Sequence, residues 1–276
     1  MSITAMFLSK TEDDGAALRF AAEVAHLTGQ SLKAICPLPD PSNVYAYSTP
    51  EFAIGVSTVL SKQMKEEQEL LRNQSGSVFE SVVSRSSLPE DRSELRIVTG
   101  IPMEIAAREA VLSDALMFPR AASVGGHAFS GALEHVMMDC ALPVIISGSK
   151  PRTDGPVIVA WDASDQAARS LKMHLPVFRH VGPVMIAQSE DGVKQRGDAS
   201  SPDAVVRWLS SHGVESSAET IRGPVAKGLL DLSEQKSAAM IVAGAYGHSR
   251  AGQYLFGGVT RTLLRAESAP ALALCH

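Results

Sequence analysis

Short apolar runs alternate with longer amphipathic stretches along the whole chain. In the second half, "PVIVAWD" (156–162) is a continuous apolar run, which predicts a strand buried on both faces. It leads into "SDQAARSLKMHLPVF", apolar at helical spacing, with Ser164 as a candidate N-cap. The strand "GPVMIAQS" comes next, then the helix "SPDAVVRWLSSHG", with Pro202 at its start and Gly213 just past its end. "VESSAETI" predicts a third strand, "GPVAKGLLDLSEQKSA" a helix, "AMIVAG" a fourth strand, "GGVTRTLLRAE" a helix and "APALALC" a fifth strand.

The first half repeats that order. "ITAMFLS", "SLKAICPL", "SELRIVTG", "DALMFPR" and "LPVIIS" predict strands. "DDGAALRFAAEVAHLTG", a long helix from about Gly55 to Phe79, "PMEIAAREAVL" and "SGALEHVMMDC" predict the helices between them. "TGIPMEIA" stands where "RGPVAKGLL" stands, and "DCALPVIIS" where "ESAPALALC" stands, with Pro143 equivalent to Pro270. Strands alternating with helices predict right-handed βαβ units and an α/β fold whose parallel sheets are covered on both faces. The polar stretch "SGSKPRTDGP" (147–156) reads as a linker. The chain therefore reads as two tandem doubly wound, Rossmann-like domains, 1–147 and 156–276.

Composition narrows the function. The 276 residues are 45% hydrophobic and 20% charged, enough apolar material for two cores. A net charge of −5 argues against nucleic acid as a partner, since binders of nucleic acid carry basic patches. No stretch is long and apolar enough to span a membrane, and "MSITAMFLSKTEDDG" lacks the basic start of a signal peptide. Three cysteines without a C-x-x-C pair fit a reducing compartment, so the expected location is the cytoplasm. The histidines and cysteines show no zinc-ligand spacing, so no metal site is expected.

The candidate chemistry lies in "IVAGAYGHSRAGQYLFGGVTRTLL" (241–264), where glycines follow a strand and a second glycine pair opens a helix. In an open parallel sheet, ligands bind at the carboxyl ends of strands where strand order reverses. If the first and fourth strands of the half adjoin there, Asp162 faces the glycine loop. A carboxylate at that point accepts hydrogen bonds from a ribose or a base. Gly244 and Gly247 let backbone N–H groups approach phosphate oxygens, and the helix starting at Gly257 and Gly258 favours an anion. Plainer readings stay open beside these. Gly244 and Gly247 can be turn glycines, Asp162 can cap the next helix, and His248 and Ser249 can be solvated loop residues.

Two motifs fail. "GHAFSGA" (126–132) has Walker A glycine spacing, but Ala132 stands where lysine is required. "GHSRA" (247–251) resembles a nucleophile elbow centred on Ser249. Only Glu267 and the terminal His276 follow it as acid and base, and a terminus expected to fray makes a poor base. A serine hydrolase using Ser249 stays as a remote alternative.

The stretch "GAYGHSRAGQYLFGGVT" resembles the signature of the universal stress proteins: glycine, two residues, glycine, nine residues, glycine, then serine or threonine. "VIVAWDASDQA", "RGPVAKGLL" and "SAPALAL" extend the likeness over 156–276, with a weaker likeness over 1–147, so the chain is similar to a tandem member. The resemblance implies five parallel strands per domain in the order 3-2-1-4-5 and a role in the stress response. It also implies an adenine nucleotide, ATP or AMP, accompanied by Mg²⁺, and pairing of the two domains through their last strands, with a homodimer as a further partner. The implied binding residues are Asp162, Gly244, Gly247, Gly257, Gly258 and Val259, with His248 and Ser249 in the loop. No catalytic residue is implied, and slow ATP hydrolysis is the most activity expected. Gly258 stands where the signature has serine or threonine, leaving Thr260 as the nearest hydroxyl. In the first half Ser9 replaces the aspartate, Arg120 follows the fourth strand, and the loop to Ser130 is shorter than that from Gly244 to Gly257. That half is expected not to bind nucleotide in the family manner, with Arg120 and His127 left to serve some other anion. The competing expectation for the whole chain is a nucleotide-independent interaction protein.

Overall fold

The computed structural model describes residues 2–8, 12–38, 40, 53–123, 126–149, 151–190, 201–245 and 258–276. The first half runs β1 (Ser2–Met6), α1 (Glu12–Thr28), β2 (Ser31–Leu38), α2 (Ala53–Arg85), β3 (Ser93–Thr99), α3 (Pro102–Ala110), β4 (Ala115–Phe118), α4 (Ser130–Met138) and β5 (Val144–Ile146). The second runs β6 (Val157–Ala160), α5 (Asp165–Phe178), β7 (Val184–Ser189), α6 (Pro202–Ser211), β8 (Ser216–Ile221), α7 (Val225–Gln235), β9 (Met240–Gly244), α8 (Gly258–Arg265) and β10 (Ala271–Cys275). Helix α2 is longer than its apolar pattern predicts, reaching Arg85 rather than Phe79.

The ten strands among the described residues form one sheet, in the order β3-β2-β1-β4-β5-β10-β9-β6-β7-β8. Each half has the order 3-2-1-4-5 with parallel pairing, and the halves join through an antiparallel seam. There Leu272 pairs with Ile146, Ala273 with Ile145 and Leu274 with Val144. The seam follows from side-chain chemistry. Strands β5 and β10 are buried along their whole length, so either half alone would expose an apolar edge. The outer strands β3 ("SELRIVT") and β8 ("SSAETI") are mostly half-buried or exposed and can end the sheet in water.

Helices α1, α2, α5 and α6 cover one face, where Leu18, Phe20, Leu171, Phe178 and Leu209 form a continuous core. The other four helices cover the opposite face through Ile105, Leu133, Leu229 and Leu263. The end of the segment between the halves lies against the turn before β9. A Cβ at Gly155 would stand 2.3 Å from the Ser237 carbonyl oxygen. Because the seam is antiparallel, the carboxyl ends of the parallel strands face opposite edges of the sheet in the two halves.

Candidate functional site

Strands β6 and β9 are hydrogen-bonded neighbours, with Val159 opposite Val242. The chain leaves β6 toward β7 on one side and returns to β9 on the other, so the β6/β9 boundary is a switch point. Trp161-Asp162 ends one strand and Ala243-Gly244 the other.

Asp162 is half-buried. Its Oδ1 accepts the Ser164 N–H at 2.9 Å, and the Ser164 Oγ in turn accepts the Ala167 N–H at 3.1 Å. Ser164 is thus the N-cap of α5, as its sequence position predicts, and Asp162 shapes the turn before it. Between them Ala163 has φ 59°, a left-handed conformation costing a residue with a Cβ about 1–2 kcal/mol. Strain of this kind gathers at binding sites. Among the described residues the second carboxylate oxygen, Oδ2, has no hydrogen-bond partner.

Gly244 has a packing reason of its own. A Cβ there would stand 2.7 Å from the Ala167 nitrogen and 2.7 Å from the Gln166 carbonyl carbon. The first turn of α5 lies directly on the end of β9, and only glycine allows that approach. Gly258 opens α8 on the surface, and a Cβ there would meet nothing within 4 Å. Val259 is exposed, while Thr260 lies on the buried side of α8 with Leu263 and Leu264. Gly247, His248, Ser249 and Gly257 lie outside the described residues, as does Ser9.

The root of the glycine loop is firmly held. The Ala245 N–H donates to the Cys275 carbonyl at 2.9 Å, and His276 Nδ1 lies 3.3 Å from the Ala245 carbonyl. Arg169 donates to the His276 carbonyl oxygen. The expected fraying of the terminus is corrected here, since β10 extends to Cys275 and the last residue is tied on two sides.

The equivalent place in the first half is built for another purpose. Arg120 begins a 3-10 turn after β4, and its Nη2 donates to the carbonyls of Leu263 and Ala266, each at 2.7 Å. These lie at the carboxyl end of α8, so a side chain of one half caps a helix of the other. Asp13 accepts the Ala121 N–H at 2.8 Å and supports the turn. Burial lowers the Arg120 pKa below its ordinary value, and the Asp13 charge partly offsets this. Its Nη1 is buried without a partner among the described residues. His127 Nδ1 accepts the Phe129 N–H at 3.1 Å, and its ring meets the Phe129 ring edge-on. Both residues are therefore engaged within the fold. An arginine after an apolar strand read as a lost glycine, and nothing in its neighbours pointed to a helix end 143 positions away.

Among the described residues no group of three His, Cys, Asp or Glu side chains is placed to hold a metal ion, and no helix is long and apolar enough to cross a membrane.

The fold defines the class: an α/β protein of two doubly wound halves. Residues 155–274 match the profile of the universal stress protein family. The match lies in the second half of the chain. The structure is similar to that of a universal stress protein from Archaeoglobus fulgidus DSM 4304, with a TM-score of 0.64 and 16% identity over 98% of this chain and 97% of that one. It is also similar to a structure from Pseudomonas aeruginosa UCBPP-PA14 described as a universal stress protein, with a TM-score of 0.55 and 13% identity over 99% of this chain and 92% of that one. At these identities the likeness is one of fold, and it extends over the first half as well. No curated protein sequence matches the chain.

Proposed function

We propose that this stress-family protein binds one adenine nucleotide, ATP or AMP, in its second half, and that its first half is a non-binding partner domain. The units are residues 156–276 and 1–147. The observation that carries the reading is the pairing of β6 with β9, which puts Asp162, whose Oδ2 has no partner among the described residues, at the same edge of the sheet as Gly244. In this reading Asp162 accepts from the ribose or base. The backbone of Gly244 and Gly247, with His248 and Ser249, lines the loop. The backbone N–H groups of Gly257, Gly258, Val259 and Thr260 present the start of α8 to the phosphates. Mg²⁺ accompanies ATP through its phosphate oxygens. No catalytic step is assigned. The setting is the cytoplasm, in keeping with three cysteines and no C-x-x-C pair. Strands β5 and β10 are used within the chain, so a homodimer would have to form through another surface.

A nucleotide-independent interaction protein is the second reading. It is favoured by Gly258 in place of a hydroxyl residue and by the packing reason for Gly244. Thermal unfolding with ATP, AMP and GTP separates the two. The first reading expects Tm to rise with ATP or AMP and the rise to vanish in Asp162→Ala. An unchanged Tm with every nucleotide at millimolar concentration supports the second.

A further inference from the structure

The chain has two tryptophans, and both line one cavity. It is a pocket of about 290 Å³ between α5 and α6, on the face of α5 away from β9. Gln166 and Ala167 of α5 meet Gly244, whereas Asp165, Ala168 and Lys172 of the same helix turn to the pocket. The pocket and the contact with Gly244 therefore lie on opposite faces of the first turns of α5, while Trp161, Ala163 and Ser164, which flank Asp162 in the chain, also line the pocket.

Trp161 is 8% exposed and lines the pocket together with Leu171 and Val205. Trp208 is half-buried and held in place, because His212 lies against it with ring centroids 4.2 Å apart. The His212 Nδ1 also lies 2.8 Å from the Trp208 carbonyl oxygen. Two large, pre-placed aromatic rings offer contact area with little conformational entropy to lose. The volume lies at the lower end of small-molecule sites. Lys172 stands at the exposed rim and forms no ion pair among the described residues. Lys172 thus offers one cation at the rim of an otherwise largely apolar pocket, which suits a single acidic group on a flat apolar body.

We propose that the α5/α6 pocket is a second ligand site, for a small planar aromatic monocarboxylate. The ring system packs against Trp161 and Trp208, and the carboxylate meets the Lys172 ammonium. The site does not depend on nucleotide binding in the Asp162 crevice.

The test uses the full chain labelled with ¹⁵N, in which two tryptophans give two indole N–H signals. Trp161→Phe and Trp208→Phe assign them. The probe is 2-naphthoate. Both signals are expected to move together and saturate, and excess ATP is expected not to displace the probe. An exposed ion pair contributes modestly, so Lys172→Ala should weaken binding about two- to fivefold. The cation 2-naphthylmethylammonium, with the same ring, should bind more weakly than 2-naphthoate. Indole signals that stay fixed at millimolar probe overturn the proposal. So does a shift of the Trp208 signal alone that never saturates, or equal binding of the cation and the carboxylate. Displacement by ATP would assign the probe to the nucleotide crevice and overturn it as well.

Discussion

Gly258 is the residue at which the family signature and this chain part. The signature has a hydroxyl there, and the surface of α8 has room for one, because a Cβ would meet nothing within 4 Å. Gly258→Ser should therefore restore a donor to phosphate and firm the first turn of α8. A hydrogen bond to a charged acceptor is worth about 1.5–3 kcal/mol, so ATP affinity should rise roughly ten- to hundredfold in equilibrium binding. The neighbouring Thr260 is no substitute, being on the buried side of the helix. Residue-scale chemistry was partly legible in the sequence. Ser164 as N-cap and Asp162 at a strand end could be read from residue type and position. The left-handed Ala163 could not, because alanine carries no mark of that conformation. Gly244 was legible as a glycine but not for its reason, which is contact with a helix about 80 residues earlier in the chain.

At the scale of elements, the link to weigh is the one from the first half's 3-10 turn to the end of α8. Two charge-assisted hydrogen bonds from Arg120 satisfy carbonyls that the helix leaves open. Arg120→Met keeps much of the apolar stem and removes the donors. It should cost about 2 kcal/mol in urea unfolding and speed hydrogen exchange at the amides of α8. Stability equal to the parent chain would show that the cap is incidental. The elements themselves were legible because central strands are unbroken apolar runs and the helices between them are amphipathic. The end of α2 was less so. Its sequence after Phe79, "ESVVSR", carries no glycine or proline to stop a helix, and the helix runs on to Arg85.

At the scale of the whole molecule, the two halves share one ten-stranded sheet, and His174 sits at their junction. It projects from α5, is fully buried, and has Nδ1 2.9 Å from the Ser170 carbonyl oxygen and Nε2 3.2 Å from that of Val144 in β5. Burial lowers its pKa from 6.5 to about 4, against the pull of those two hydrogen bonds. The unfolded chain then binds the proton more readily, so the stabilisation is complete above about pH 6.5 and is lost as pH falls toward 4. Between pH 7 and 5 the parent should lose about 2 kcal/mol more than His174→Gln, measured by urea unfolding at each pH. The repeat of strand order was legible from matched segments such as "DCALPVIIS" and "ESAPALALC". The single continuous sheet was implied only by family resemblance, since seam pairing depends on two apolar edges meeting in space. The central claim remains that one nucleotide binds, and binds at Asp162. Calorimetric titration of the chain with ATP and Mg²⁺ tests it most directly. The expected result is one nucleotide per chain, with affinity falling roughly ten- to hundredfold in Asp162→Ala. No heat at millimolar ATP, two nucleotides per chain, or an affinity indifferent to Asp162→Ala would contradict it.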